Sequence, residues 1–183
     1  MSLHHDAGRV LHDWTAPDDE QQALRELYLS HLAAYEDAMS RSCHPDHLTA
    51  SALVFSHDHR QVALTLHARL GRWLQTGGHC EPTDTQLAEA ALREAREESG
   101  VEGLTVDAVP VLLSRHEVPC GPLRPAHHLD VQFVAVASPD AELVVSEEST
   151  DVRWFDLDDL PDDADDSVRA LVSAGARRLR GTP

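Results

Sequence analysis

The spacing of apolar and polar residues divides the chain into a helical start and a body in which strands and helices alternate. Between Asp18 and Ser40, apolar residues recur every three or four positions, and the acidic run after Pro17 is typical of a helix N-terminus. After Pro45, two apolar runs enclose the polar turn 56–60, which predicts a β-hairpin. The full pattern predicts strands at 48–55, 61–66, 104–115, 129–137 and 151–155, and helices at about 85–99 and 167–179.

This order of elements predicts an α/β fold with a mixed β-sheet. We place a boundary near Pro45, with residues 1–44 as an N-terminal helical extension and residues 45–183 as the main domain. The helix of the extension carries an apolar stripe from Leu24 to Tyr35, which needs a partner surface. We expect it to pack on the main domain or on a second copy of the chain, the latter giving a homodimer.

Composition narrows the partners that such a protein can have. The 183 residues include 32 acidic and 15 basic side chains, every basic one an arginine, for a formal net charge of −17. Nucleic-acid polymers and anionic membrane surfaces favour clustered positive charge, so both are disfavoured as partners. A small phosphorylated substrate stays open, because a divalent cation can supply positive charge locally. With no apolar stretch of about 20 residues and no apolar signal core, we expect a cytoplasmic protein.

The most informative segment is the glycine pair Gly77–Gly78, followed by an acidic loop and the predicted helix. On a helix that turns about 100° per residue, Glu94 and Glu98 lie within about 40° of each other, and Glu97 borders them. The same arc carries the small apolar set that is expected to face inward, Leu87, Ala90 and Ala91. Carboxylates on an inward face are costly unless a cation pairs with them. Mg²⁺ and Mn²⁺ prefer oxygen ligands of this kind.

The sequence of the helix alone is equally consistent with charged residues that only face solvent. Glu89, Arg93 and Glu97 recur at four-residue spacing, as in a solvent-exposed row of ion pairs. The glycine pair favours the metal-site hypothesis, because glycines that follow a strand let backbone carbonyls and amides approach a ligand closely.

Together these residues resemble the Nudix box, Gly-x5-Glu-x7-Arg-Glu-(apolar)-x-Glu-Glu-x-Gly-(apolar). Every fixed position of the second half matches, from Arg93 to Val101. The first half departs from the pattern: Asp84 stands in place of Glu, eight residues instead of seven separate it from Arg93, and Thr76 replaces the usual proline. We expect the loop to absorb the extra residue, since Pro82 cannot lie inside a helix and Asp84 or Thr85 can cap it. The helix should then begin at Asp84 or up to two residues later.

The resemblance implies a Nudix-type α/β/α sandwich and an enzyme that hydrolyses a diphosphate linkage between a nucleoside and another moiety. It implies that the carbonyl of Gly78 and the carboxylates of Glu94, Glu97 and Glu98 bind Mg²⁺ or Mn²⁺. It also implies that Arg93 orients the glutamates, and that Glu94 or Glu98 accepts the proton of the attacking water.

Candidates outside the box each have a functional and a structural interpretation. His79 either contacts substrate phosphate or is a loop residue, and Asp130 is either a further metal ligand or base or caps a strand. Arg69 and Arg72, which precede Trp73, either bind the distal phosphate or ribose of the substrate or only face solvent. Glu147 and Glu148 lie in a loop where the resemblance implies a further metal-binding carboxylate, or they only face solvent. The histidine groups 43–47 and 57–59 lack the paired spacing of a structural zinc site, so zinc is not expected there.

Two other functions remain open at this point. The first is an isomerase related to isopentenyl-diphosphate isomerase, which shares the fold and needs a catalytic cysteine; Cys80 lies near the relevant loop, although its setting matches poorly. The second is a Nudix-like module that binds a nucleotide without turnover. The intact set of Arg93, Glu94, Glu97 and Glu98 argues against such a decayed site.

Overall fold

The computed structural model describes residues 2–118, 122–146 and 149–181. Its helices are α1 (Leu3–Asp13), α2 (Asp19–Ala34), α3 (Leu87–Ser99) and α4 (Asp166–Leu179). Its strands are β1 (His47–Phe55), β2 (Gln61–His67), β3 (Trp73–Leu74), β4 (Thr76–His79), β5 (Thr105–Val106), β6 (Leu112–Val118), β7 (Ala126–Val136) and β8 (Ser149–Asp156). Within these ranges no helix is both long and apolar enough to cross a membrane.

A parallel pair of long strands, β1 and β7, forms the centre of the sheet and stays in register from His47–His128 to Phe55–Val136. Each of the two strands changes its outer neighbour part-way along. The first half of β1 pairs with β4 and its end pairs with β2, whereas β7 pairs first with β6 and then with β5. Strand β4, which carries the glycine pair, therefore lies beside the first half of β1.

Helices cover both faces of this mixed sheet, as the order of elements predicts. On one face, α1, α2 and α3 pack against apolar side chains of β1 and β7, including Ala50, Ala52 and Val131. On the other face, α4 packs against Leu53, Phe55 and neighbouring residues. The side chains alternate along β1, so consecutive residues enter different cores. The predicted α/β layout with a helical N-terminal region is confirmed.

The predicted elements mostly coincide with the observed ones, but several differ, and the short strands β3 and β4 were not predicted. The predicted strand 104–115 is two strands, β5 and β6, because the chain turns between Asp107 and Pro110. The predicted helix 18–40 ends at Ala34. The helix α1 was not predicted, although Ser2 caps it and its buried side chains recur at helical spacing: Leu3, Ala7, Val10 and Leu11.

The N-terminal helices share the core of the main domain. Tyr28 and Leu32 of α2 are buried there, while Leu27 and Tyr35, from the same predicted stripe, stay partly exposed. The side chain of Gln21 pairs with the backbone of Leu113 in both directions, at 3.0 and 2.7 Å. Helix α2 therefore satisfies hydrogen-bonding groups of the β6 backbone. In the described structure, the buried part of the apolar stripe packs on the main domain of the same chain.

The start of α3 is fixed by a residue of α1. Helix α3 begins at Leu87, one residue beyond the predicted limit, and its N-cap residue Gln86 makes no side-chain capping hydrogen bond. Instead, the buried carboxylate of Asp6 accepts a 2.9 Å hydrogen bond from the backbone N–H of Leu87. The predicted cap by Asp84 or Thr85 is therefore wrong. A carboxylate at this position also stabilises the helix dipole.

We predict that Asp6→Ala lowers the free energy of unfolding by about 1–2 kcal/mol, because it removes this cap from a buried helix terminus. Asp13→Ala is the matched control: Asp13 lies on the same helix but is exposed, and its removal should change stability by less than about 0.5 kcal/mol. Urea unfolding of both variants measures the difference. Equal stability of the two would contradict the assigned cap.

Candidate active site

Two carboxylates of α3 lie directly against the glycine pair of β4. A methyl group built on Gly78 would approach the carboxylate of Glu94 to 2.8 Å, and the backbone N–H of Gly77 donates a 3.1 Å hydrogen bond to Glu98. A side chain on Gly77 would collide with Ser51 on the neighbouring strand, at 2.2 Å. Both positions therefore need glycine to bring the β4 backbone and the helix carboxylates together.

Arg93 joins the helix carboxylates to the loop that precedes them. Its guanidinium contacts Glu94 at 2.9 Å, Glu97 at 3.0 Å and Asp84 at 3.0 Å. It also donates to the carbonyl of His79, at 3.0 Å. Partial burial opposes its charge, but the hydrogen bonds with Asp84 and the charge of Glu94 raise the pKa of Arg93 above its ordinary value. The guanidinium thus holds two glutamates and the loop in one arrangement.

The loop absorbs the extra residue of the box, as expected. Asp84 folds back on the loop, where its carboxylate accepts a 2.7 Å hydrogen bond from the backbone N–H of Glu81 and pairs with Arg93. Its side chain is 8% exposed, and that of Glu94 is 13% exposed, whereas that of Glu97 is 57% exposed. The glutamates keep their rotation about the helix axis, so Glu94 and Glu98 face the glycine pair.

An open cavity of about 980 Å³ adjoins this arrangement. Residues of the box and the loop line it, including Gly78, His79, Arg93, Glu94 and Glu97. Residues of the N-terminal region line it as well, among them His4, Asp37 and Arg41. The contribution of Arg41 was not predicted, because it lies in the irregular segment between α2 and β1, where local sequence carries no signal of its position.

Asp130 lies on the opposite face of the sheet from Glu94. It is 3% exposed and accepts hydrogen bonds from the hydroxyl groups of Thr49 and Ser51, at 2.9 and 2.6 Å, and from Gln132 at 3.2 Å. Strand register places Asp130 beside Thr49, and Thr49 beside His79. Asp130 is thus part of a buried row of polar side chains within the sheet. Its side chain bonds to neighbouring side chains of this row, so it does not act as the predicted strand cap.

Three histidines from separate strands meet on this same face. The rings of His47, His79 and His128 have centroids 4.9–5.1 Å apart. Sequence spacing did not reveal this group, because its members are distant in the chain. The signal that would have found it is the pairing of β1 with both β4 and β7.

The other candidate site residues named from the sequence do not lie beside the Nudix box in the described structure. Arg69 and Arg72 lie exposed between β2 and β3, and neither is among the residues that line the cavity. Glu147 and Glu148 lie outside the described residues. The histidine groups in 43–47 and 57–59 do not assemble as sequence neighbours; of them, only His47 joins the cluster found among the described residues.

Comparison with protein families gives the decisive match. A model of the NUDIX domain matches residues 45–174, well over half of the chain. The chain belongs to the Nudix hydrolase family. Nudix hydrolases are pyrophosphohydrolases, and they act on substrates in which a nucleoside diphosphate is linked to another moiety. No match to this chain was found among curated protein sequences.

Solved structures share the Nudix fold with this chain. A NUDIX-family hydrolase from Clostridium perfringens aligns with a TM-score of 0.60 at 21% identity, covering 73% of this chain and 97% of that one. An Ap4A hydrolase from C. elegans, in a binary complex, aligns with a TM-score of 0.58 at 18% identity, covering 73% and 98%. The NUDIX domain of Shewanella oneidensis NrtR, complexed with ADP ribose, aligns at 0.56 and 19% identity, covering 82% and 97%.

We predict that Arg93→Met lowers the free energy of unfolding of this Nudix protein by about 2 kcal/mol, because Asp84 and Glu94 lose their shared cation while staying largely buried. Arg96→Met is the matched control, since Arg96 is exposed on the same helix; it should cost less than about 0.5 kcal/mol. Chemical denaturation compares the two variants, and equal stability would exclude the proposed clamping role of Arg93.

Proposed function

We propose that this protein is a divalent-metal-dependent pyrophosphohydrolase whose site is formed by the Nudix box. Glu94, Glu97 and Glu98, with the carbonyl of Gly78, would hold Mg²⁺ or Mn²⁺. The observation that carries the proposal is the contact of Glu94 and Glu98 with the Gly77–Gly78 backbone beside an open cavity.

The donor atoms present fit such an ion. They are carboxylate and carbonyl oxygens, which Mg²⁺ and Mn²⁺ prefer over nitrogen or sulfur. The absence of a side chain on Gly78 leaves the space that Glu94 reaches into. The chain as a whole carries a net charge of −17, so a cation is needed to bring a diphosphate to these glutamates.

Bound at this site, a divalent cation would neutralise diphosphate oxygens and lower the pKa of a water molecule. The remaining work falls to side chains of this chain. Arg93 fixes the positions of Glu94 and Glu97, so their charge is oriented before substrate arrives. Residues of the N-terminal region also line the cavity and would limit the shape of the group that leaves.

Of the two candidate bases, we favour Glu98. Glu94 pairs with the Arg93 guanidinium at 2.9 Å, which fixes its carboxylate as a ligand. Glu98 accepts a 3.1 Å hydrogen bond from the backbone N–H of Gly77, which holds its carboxylate against β4. Glu98 would therefore take the proton of the attacking water, and Glu94 would serve mainly as a ligand.

The substrate is a nucleoside diphosphate linked to another group. Arg41, which lines the same cavity, would supply positive charge to a second phosphate of the substrate. The Nudix structures complexed with ADP ribose and named for Ap4A hydrolysis support this class. A panel of candidate substrates, assayed with Mg²⁺ and with Mn²⁺, would identify which compound of this class is hydrolysed. The panel consists of nucleoside triphosphates, ADP-ribose, dinucleoside polyphosphates, NADH and coenzyme A.

The isomerase alternative is less consistent with the site. A cysteine catalyst needs an accessible thiol, often as the thiolate. Cys80 is buried, and burial together with the nearby charge of Asp84 raises its pKa to about 12. A binding module without turnover would not require three oriented carboxylates. Release of a nucleoside monophosphate or phosphate would distinguish the hydrolase from both alternatives.

We predict that Glu98→Gln lowers turnover by at least about 100-fold while the protein stays folded, because it removes the proposed base and a ligand without changing size. In the absence of metal, its melting temperature should not fall, since one of several neighbouring negative charges is lost. Glu89→Gln is the matched control on the exposed side of the same helix and should keep wild-type activity. Wild-type turnover in Glu98→Gln would refute the proposed role.

A further inference from the structure

We propose that His47, His79 and His128 form a second metal site, which binds a nitrogen-preferring first-row transition ion such as Zn²⁺ and is distinct from the carboxylate site. The three side chains come from β1, β4 and β7, and each offers one ring nitrogen within 4.8 Å of the other two. No motif in the Nudix box requires any of them.

Strand register explains how the cluster forms. His47 and His128 are direct partners on the parallel strands β1 and β7, so their side chains leave the same face of the sheet. His79 pairs with Thr49, two residues along β1 from His47 and thus on that face as well. Three rigid strands therefore present the imidazoles, and no loop has to fold to assemble them.

The ring positions suit one shared ion. Nitrogens bound to a tetrahedral Zn²⁺ at about 2.0–2.1 Å lie about 3.4 Å apart, which places imidazole centroids about 5 Å apart. The observed centroid distances are 5.1 Å for His47–His79, 4.9 Å for His47–His128 and 4.9 Å for His79–His128. One nitrogen of each ring lies within 4.8 Å of the other two, so the ligand atoms have only a short distance left to close around an ion.

A second observation points to a missing partner at this place. His47 is 1% exposed, and among the described residues neither of its ring nitrogens has a well-formed hydrogen bond, although the Cys43 backbone lies close to the ring. Buried polar nitrogens are almost always satisfied, because leaving them unpaired costs free energy. An ion bound among the three rings would satisfy one of the nitrogens of His47 directly.

The donor set selects the kind of ion and separates it from the box. Imidazole nitrogen favours Zn²⁺, Co²⁺, Ni²⁺ or Cu²⁺ over Mg²⁺. Three protein ligands leave a coordination position free for water or a substrate oxygen. His79 lines the cavity next to Gly78, whereas the carboxylates approach β4 from the side of α3. The two sites would therefore lie on either side of β4, next to the same cavity.

The test is Zn²⁺ and Co²⁺ binding to the full chain, stripped of metal by a chelator and assayed with millimolar Mg²⁺ to occupy the carboxylates. We expect one equivalent of Zn²⁺ to bind and to raise the melting temperature, and Co²⁺ to give the strong visible absorption of a four-coordinate nitrogen site. His128→Gln should weaken Zn²⁺ binding by at least about 100-fold, more than the loss of an outer-shell partner. His57→Gln, on an exposed turn, should bind Zn²⁺ like wild type.

Two further variants complete the test. His47→Leu removes the unsatisfied nitrogens, so it should abolish stabilisation by Zn²⁺ without lowering the melting temperature of the metal-free protein. Glu98→Gln should keep Zn²⁺ binding, which distinguishes this site from the proposed catalytic one. Wild-type Zn²⁺ affinity in His128→Gln, retained stabilisation in His47→Leu, or loss of Zn²⁺ binding in Glu98→Gln would each overturn the proposal.

Discussion

The close approach of helix α3 to the glycine pair of β4 is the constraint on which the site depends. Two carboxylates occupy the inner arc of the helix, where apolar side chains would ordinarily lie, and the β4 backbone meets them without intervening side chains. Charges placed inward in this way repel each other and lose hydration. Arg93 offsets part of that cost by pairing with Glu94, Glu97 and Asp84. The remaining electrostatic cost is what makes the arrangement suitable for a cation.

The N-terminal region belongs to this arrangement as well. Asp6 of α1 binds the first N–H of α3, so the helix that carries the glutamates begins where the extension fixes it. Residues of the same region, including Arg41, line the cavity together with residues of the box. The proposed boundary near residue 45 is therefore a boundary in the sequence, while the residues on its two sides share one core and line one cavity. Substrate selection by the enzyme would depend on both.

Local sequence was sufficient for most of the elements and for the helix face, and insufficient for contacts between distant residues. The rotation of Glu94 and Glu98 toward the glycine pair followed from helix geometry, because the period of a helix is independent of its surroundings. The cap of α3 was mispredicted, because Asp84 is used by Arg93 and the actual cap, Asp6, lies 81 residues away in the chain. Likewise, the histidine cluster depends on strand pairing, which no short-range pattern encodes.

The central claim is that the inner-face carboxylates and the Gly78 carbonyl hold a divalent cation. Anomalous X-ray diffraction from crystals grown with Mn²⁺ tests it directly, because the manganese signal locates the ion without reference to activity. The account predicts an anomalous peak between Glu94, Glu98 and the carbonyl oxygen of Gly78, at the metal–oxygen distances expected for such an ion. Well-ordered crystals with no peak at this position, and with Glu94 and Glu98 turned away from Gly78, would contradict it.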